Sequence, residues 1–165
     1  MDAKNKRIVK KKNRVCLMKF MTNCEGKDAA MQVMAGEKET TRRDKSYTVG
    51  EIVEICQQKI HNTELFTGFM VEWDPIGKAK VISCIHEDAW KRMMTSYQPF
   101  RIERYGLIDI SNEHYSLDDI HSYASEAKKE GYAETKQGWI NLFKDLRKCY
   151  KPLPPLWRIG LEPLE

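Results

Sequence analysis

The stretch Thr48-Val-Gly-Glu-Ile-Val-Glu-Ile-Cys-Gln-Gln-Lys-Ile60 decides how the rest of the chain is divided. Thr48 and Glu51 form a T-x-x-E capping box, in which each side chain satisfies an orphan backbone N–H of a helix start. Val49, Ile52, Val53, Cys56 and Ile60 then recur at helical spacing. The spacing predicts a helix here, and that places strands on either side of it.

Upstream, Arg14–Thr22 (RVCLMKFMT) is apolar and partly alternating, as a strand is. Asn23–Asp28 (NCEGKD) has turn composition. Residues 29–36 (AAMQVMAG) are read as the return strand of a hairpin, and the polar run 37–46 as an exposed loop. Downstream, residues 65–73 and 79–85 read as strands joined by a tight turn at Asp74-Pro-Ile-Gly-Lys78. Residues 87–97 read as a short helix stopped by Pro99, and 100–110 as a strand bent at Gly106. Ser116 and Asp119 open another helix that Gly131 ends. Residues 135–150 form the clearest helix, with Trp139, Leu142, Phe143, Leu146 and Tyr150 in one stripe and Pro152 beyond it. The expected fold is α+β: an antiparallel sheet of hairpins with helices on one face, in the order ββ-α-ββ-α-β-αα.

Charge is distributed unevenly. The net charge is +4 over 165 residues. Lys4, Lys6, Arg7, Lys10, Lys11, Lys12 and Arg14 against Asp2 put +6 in residues 1–14, so the other 151 residues carry −2. The organisation expected is a disordered basic arm over 1–14, one domain over 15–150, and an extended proline-rich strap over 151–165. A basic arm of this kind meets phosphate or another polyanion, and the binding is salt-dependent through counterion release. With few aromatics in the arm, contact to the RNA backbone is expected rather than base reading. Arg42, Arg43, Lys144, Arg147 and Lys148 are expected to extend the basic surface. An anionic membrane is the other surface such an arm fits. Lys11-Lys-Asn-Arg14 also has the pattern of a nuclear import signal.

Pro152, Pro154, Pro155 and Trp157 favour polyproline II and are candidate partner contacts. The other expectation for this segment is that its Leu153, Leu156, Trp157, Ile159 and Leu161 pack back over the sheet. A protein partner is expected at a strand edge or at these prolines, and self-association is compatible with both. The plan of basic arm, small body and proline-aromatic segment resembles in outline that of small viral matrix proteins, a likeness of layout and not of motif. That likeness implies a structural protein that self-associates and contacts membrane or nucleocapsid. The alternative is an interaction module acting on a host or cellular partner, with the arm as its address.

Five widely spaced cysteines, an odd number, and a charged N-terminus fit reduced thiols in the cytoplasm or nucleus. No run approaches the ~18 apolar residues of a membrane span. Cys84 and His86 share a strand face, but no spacing completes a zinc site, so no metal or other cofactor is expected. Asp109, Glu113, His114, Asp118, Asp119 and His121 are the richest polar cluster, yet Asp118 and Asp119 stand where a helix N-terminus favours acids. Glu72, Asp74 and Lys80 lack the E-x-K pattern of metal nucleases. No P-loop, dinucleotide motif or nucleophile elbow occurs. A non-enzymatic protein is therefore expected.

Overall fold

The computed structural model describes residues 15–62, 69–86, 100–103, 106–109, 117–151 and 153–165. The arm, the 87–97 helix, Pro152 and residues 111–116, with Glu113 and His114, lie outside them. The described chain is α+β. Its elements are β1 (Cys16–Phe20), α1 (Ala29–Met34), β2 (Thr40–Arg43), β3 (Ile52–Asn62), β4 (Phe69–His86), β5 (Phe100–Glu103), β6 (Gly106–Asp109), α2 (Leu117–Lys129), α3 (Lys136–Cys149) and β7 (Trp157–Leu164). The main sheet runs β1-β3-β4-β7-β2, and β5 pairs with β6 separately.

The decisive stretch is a strand. Thr48 N–H does donate to Glu51 Oε1 at 2.7 Å, half of a capping box. Glu51 N–H, however, returns to the Thr48 carbonyl at 3.1 Å, with Gly50 at φ +97°. That is a tight turn with glycine in the left-handed position, and the helix cannot propagate from it. Gly50 N–H then donates to the Val81 carbonyl, and Val81 N–H to the Glu51 carbonyl, which starts the β3–β4 ladder.

The helical spacing does not mark one buried face. Val53, Ile55 and Cys56 are buried, and the register shift between Ile55 and Cys56 leaves the extra residue, Ile76, on β4. Val49, Ile52 and Ile60, counted on the same helical face, are in fact exposed.

The opposite correction applies to 29–36. Asp28 caps α1 by accepting from Met31 N–H at 3.2 Å, and the Ala and Met content is helix-forming. Gly77 lies under the Met34 side chain of α1, whose flexible end would have to move aside for a Cβ there.

The predicted turn at 74–78 is also absent, because β4 runs unbroken through it. Pro75 is tolerated beside the bulge, where Ile76 has no partner on β3 and β7 reaches only as far as Lys78. β5 and β6 are two paired strands, Phe100 opposite Asp109, in place of the single bent strand expected.

The sheet is mixed and not antiparallel throughout: β1 lies parallel to β3 because α1 and β2 intervene between them. The C-terminal segment does not cover the sheet. β7 is a member of it, between β4 and β2. The sheet also curls. β1 and β2 are its two edges, yet Arg43 Nη2 on β2 donates to the Lys19 carbonyl on β1 at 2.8 Å.

Two apolar cores result. One lies inside the sheet under α1 and contains Met18, Val33, Val53, Ile55, Val81 and Ile159. The other lies between α2 and α3, where Tyr123 stacks on Trp139 and Leu156 is buried with them. Gly131, at φ +90°, ends α2 as predicted, and Thr135 caps α3 through Gly138 N–H at 2.9 Å.

Candidate nucleic-acid interface

Between the two cores lies a charged seam. Residues 37–46 read as an exposed loop, but Lys38, Thr40, Thr41 and Arg42 are buried there. Glu130, at the end of α2, is 2% exposed and collects three of them. Lys38 Nζ lies 3.1 Å from Glu130 Oε2 and 2.6 Å from its backbone carbonyl. Thr40 Oγ1 donates to Oε1 at 3.2 Å, and Arg42 Nη1 also reaches Oε1. The other guanidinium nitrogen of Arg42 reaches Glu126 at 3.0 Å, and Arg158 on β7 holds both oxygens of Glu126 at 3.0 Å. Burial opposes the charge on Glu130, but Lys38 and Arg42 more than offset it and hold the carboxyl below its ordinary range. Burial lowers the Lys38 ammonium, and the attraction of Glu130 only partly compensates.

This cluster forms the floor of a pocket of about 410 Å³ at the seam where β1 approaches β2. Five cations line it (Lys19, Lys38, Arg42, Arg43 and Lys148) against two carboxylates, Glu130 and Asp145. Trp73, Tyr132 and Tyr150 supply aromatic surface. The Lys19 ammonium lies 5.4 Å from the centre of the Trp73 ring, and Arg43 sits over Phe20 at 4.6 Å.

One wall is the loop after β1, clamped to the helices. Asp145 accepts from Tyr132 hydroxyl at 2.6 Å and from Cys24 N–H at 2.9 Å. Glu25 accepts from Ala133 N–H and Asn141 Nδ2, both at 2.9 Å. Burial, then the Asp145 charge, pushes the Cys24 thiol up to about 11, which lowers its thiolate fraction at neutral pH. Asp145→Ala leaves the Tyr132 hydroxyl and the Cys24 N–H without their acceptor. The expected cost is about 1–3 kcal/mol in a denaturant titration, together with faster reaction of Cys24 with a disulfide reagent. An unchanged thiol rate would mean Asp145 does not hold this loop.

Of the residues expected to bind a polyanion, Lys4 to Arg14 lie outside the described residues. Lys144 and Lys148 are exposed on α3, and Arg147 is half-buried. Arg43 lines the pocket. Arg42 must be corrected, because its guanidinium is 1% exposed and its charge is answered by Glu126 and Glu130. Among the partner-contact residues, Pro155 is exposed, Pro154 is half-buried, and Trp157 packs its ring edge-on to His86 at 4.7 Å. Asp74 pairs with Lys59 at 2.9 Å. Among the described residues no group of three or more His, Cys, Asp or Glu is placed to hold a metal ion.

Sequence reasoning missed Lys19, Lys38, Trp73, Glu130, Tyr132 and Asp145. Each sat in a stretch with an ordinary explanation, such as a polar loop or a helix terminus. The available signal was Thr40-Thr-Arg-Arg43, whose β-branched residues suit a strand. No family model, no curated protein and no solved structure matches the chain. Among the described residues no helix is long and apolar enough to cross a membrane.

Proposed function

We propose that this chain is a non-enzymatic RNA-binding protein of structural or adaptor type. Its basic arm neutralises backbone phosphates, and the seam pocket provides a second, shaped contact. The observation that carries this reading is the pocket itself: an excess of cations beside aromatic rings in a concave site. Cations in a groove with stacking surfaces suit single nucleic-acid strands. A flat, anionic membrane surface would be met by a flat basic face instead.

The test is a salt series with fluorescent single-stranded RNA and, separately, vesicles containing phosphatidylserine. RNA binding that persists near physiological salt and exceeds vesicle binding is the expected result. Vesicle binding without RNA binding would shift the reading to a membrane-attached protein of matrix type. Binding to neither would leave the protein-partner module, with the arm as an import signal.

One observation favours a second reading, that of an enzyme. Lys38 and Glu130 are buried ionisable groups that line the pocket, and the Thr40 hydroxyl shares the Glu130 carboxylate with Lys38. A buried amine with a lowered pKa beside a hydroxyl is a combination that acid–base catalysis uses. RNA recovered from the binding assay separates the two. Unchanged mass supports binding alone, and a new product lost in Lys38→Met would establish chemistry.

A further inference from the structure

We propose that the seam pocket selects single-stranded over duplex RNA, receiving one unstacked base beside Trp73 and Tyr150 while Lys19, Arg43 and Lys148 hold the adjoining phosphates. This rests on the RNA reading above and specifies the form of its ligand.

The cations of the pocket differ in how far they are paired internally. Lys38 and Arg42 face Glu130 on the floor. Lys19, Arg43 and Lys148 line the pocket as well; Arg43 faces Thr41 Oγ1 and the Lys19 carbonyl and not a carboxylate, and Lys148 is only loosely paired, 3.9 Å from Asp145 with its side chain 70% exposed. These three come from β1, β2 and α3 and converge on one pocket, Arg43 and Lys19 as neighbours across the β1–β2 seam. Cations that converge on a cavity hold a backbone that bends over it.

The rings lie in the same place. Trp73 on β4 and Tyr150 at the end of α3 are both half-buried and both line the pocket. Tyr150 packs partly against the α2–α3 core, and both rings line the cavity. Lys19 against Trp73 sets a phosphate-binding cation next to a stacking surface, the combination by which proteins grip unpaired nucleotides. A duplex keeps its bases stacked inside and offers a concave site only its backbone. At about 410 Å³ the cavity is within the usual size of a small-molecule site, so an extruded base is a reasonable occupant and a helix is not.

The experiment is fluorescence anisotropy near physiological salt, using one mixed-sequence 12-nucleotide RNA alone and annealed to its complement. Wild-type protein should bind the single strand about tenfold or more tightly than the duplex. Trp73→Ala should weaken single-strand binding by about tenfold and leave duplex binding unchanged. Trp73→Phe, which keeps a ring, should restore most of the loss, and it separates stacking from damage to the fold. Equal affinity for the two forms, or an equal loss for both in Trp73→Ala, would overturn this inference while leaving RNA binding in place. Failure to bind either form would overturn the RNA reading beneath it.

Discussion

Glu130→Gln should lower the unfolding free energy by about 3–5 kcal/mol, the largest effect expected of any single polar substitution in the described chain. The glutamine is nearly isosteric, so no cavity is made. What changes is that Lys38 and Arg42, 6% and 3% exposed, lose the carboxylate that both face. Arg42 keeps Glu126 at 3.0 Å, so the uncompensated cation is Lys38, and a buried cation without its counter-ion bears the cost of desolvation. Lys38→Met is the control. It removes one cation but leaves Glu130 held by Arg42 and Thr40, and its cost should be clearly smaller. Urea titrations of the two variants give the comparison, and equal costs would mean that Glu130 is not the hub of the cluster.

The pH dependence follows from the same groups. Glu126 and Glu130 are both held below the ordinary carboxylate range. In the unfolded chain they titrate near the ordinary glutamate value of about 4.3. Their contribution is therefore fully present above that pH and is lost as the pH falls through their lower folded values. Lys38 acts in the opposite sense. Its folded pKa is lowered, so the folded state disfavours its proton, and stability rises with pH towards the unfolded lysine value of about 10.4. Glu130→Gln should accordingly flatten the acid limb of the stability profile.

Deleting residues 1–14 is the second large effect. Seven cations leave with one acid. For a single strand, each phosphate contact contributes about 0.7 to the slope of log affinity against log salt. Loss of all seven should reduce that slope by up to about 5 and weaken RNA binding on the order of a hundredfold near physiological salt. The thermal midpoint should not move if the arm acts only as a charged contact. A residual, shallower salt dependence should remain from Lys19, Arg43 and Lys148. If the truncated protein binds as tightly as the whole chain, the arm is not a nucleic-acid contact.

The parts of the fold that were legible were those set by local chemistry. α2 and α3 could be read because Gly131, Thr135 and a continuous apolar stripe agree with one another. The 48–60 stretch failed because its exposed side is apolar too: Val49, Ile52 and Ile60 are exposed, yet they fall at helical spacing with the buried Val53 and Cys56. Nothing local distinguishes that pattern from a helical one. The 74–78 turn failed for a related reason: proline and glycine mark a turn in isolation, but here they sit beside a bulge and under the Met34 side chain.

The candidate site was mostly illegible. Glu130 meets Lys38 across 92 residues of sequence, and Glu126 meets Arg42 across 84. A charged residue reads as exposed unless its partner is known, so Arg42 was assigned outward when it faces in.

On the proposed reading RNA meets the arm and the seam pocket together. Photo-crosslinking with single-stranded RNA carrying 4-thiouridine, followed by peptide mapping, is the decisive test. Crosslinks are expected within residues 4–14 and at pocket residues, above all Trp73 and Tyr150. Crosslinks confined to the far face of the sheet, around Glu54, Lys80 and Ile82, would contradict it.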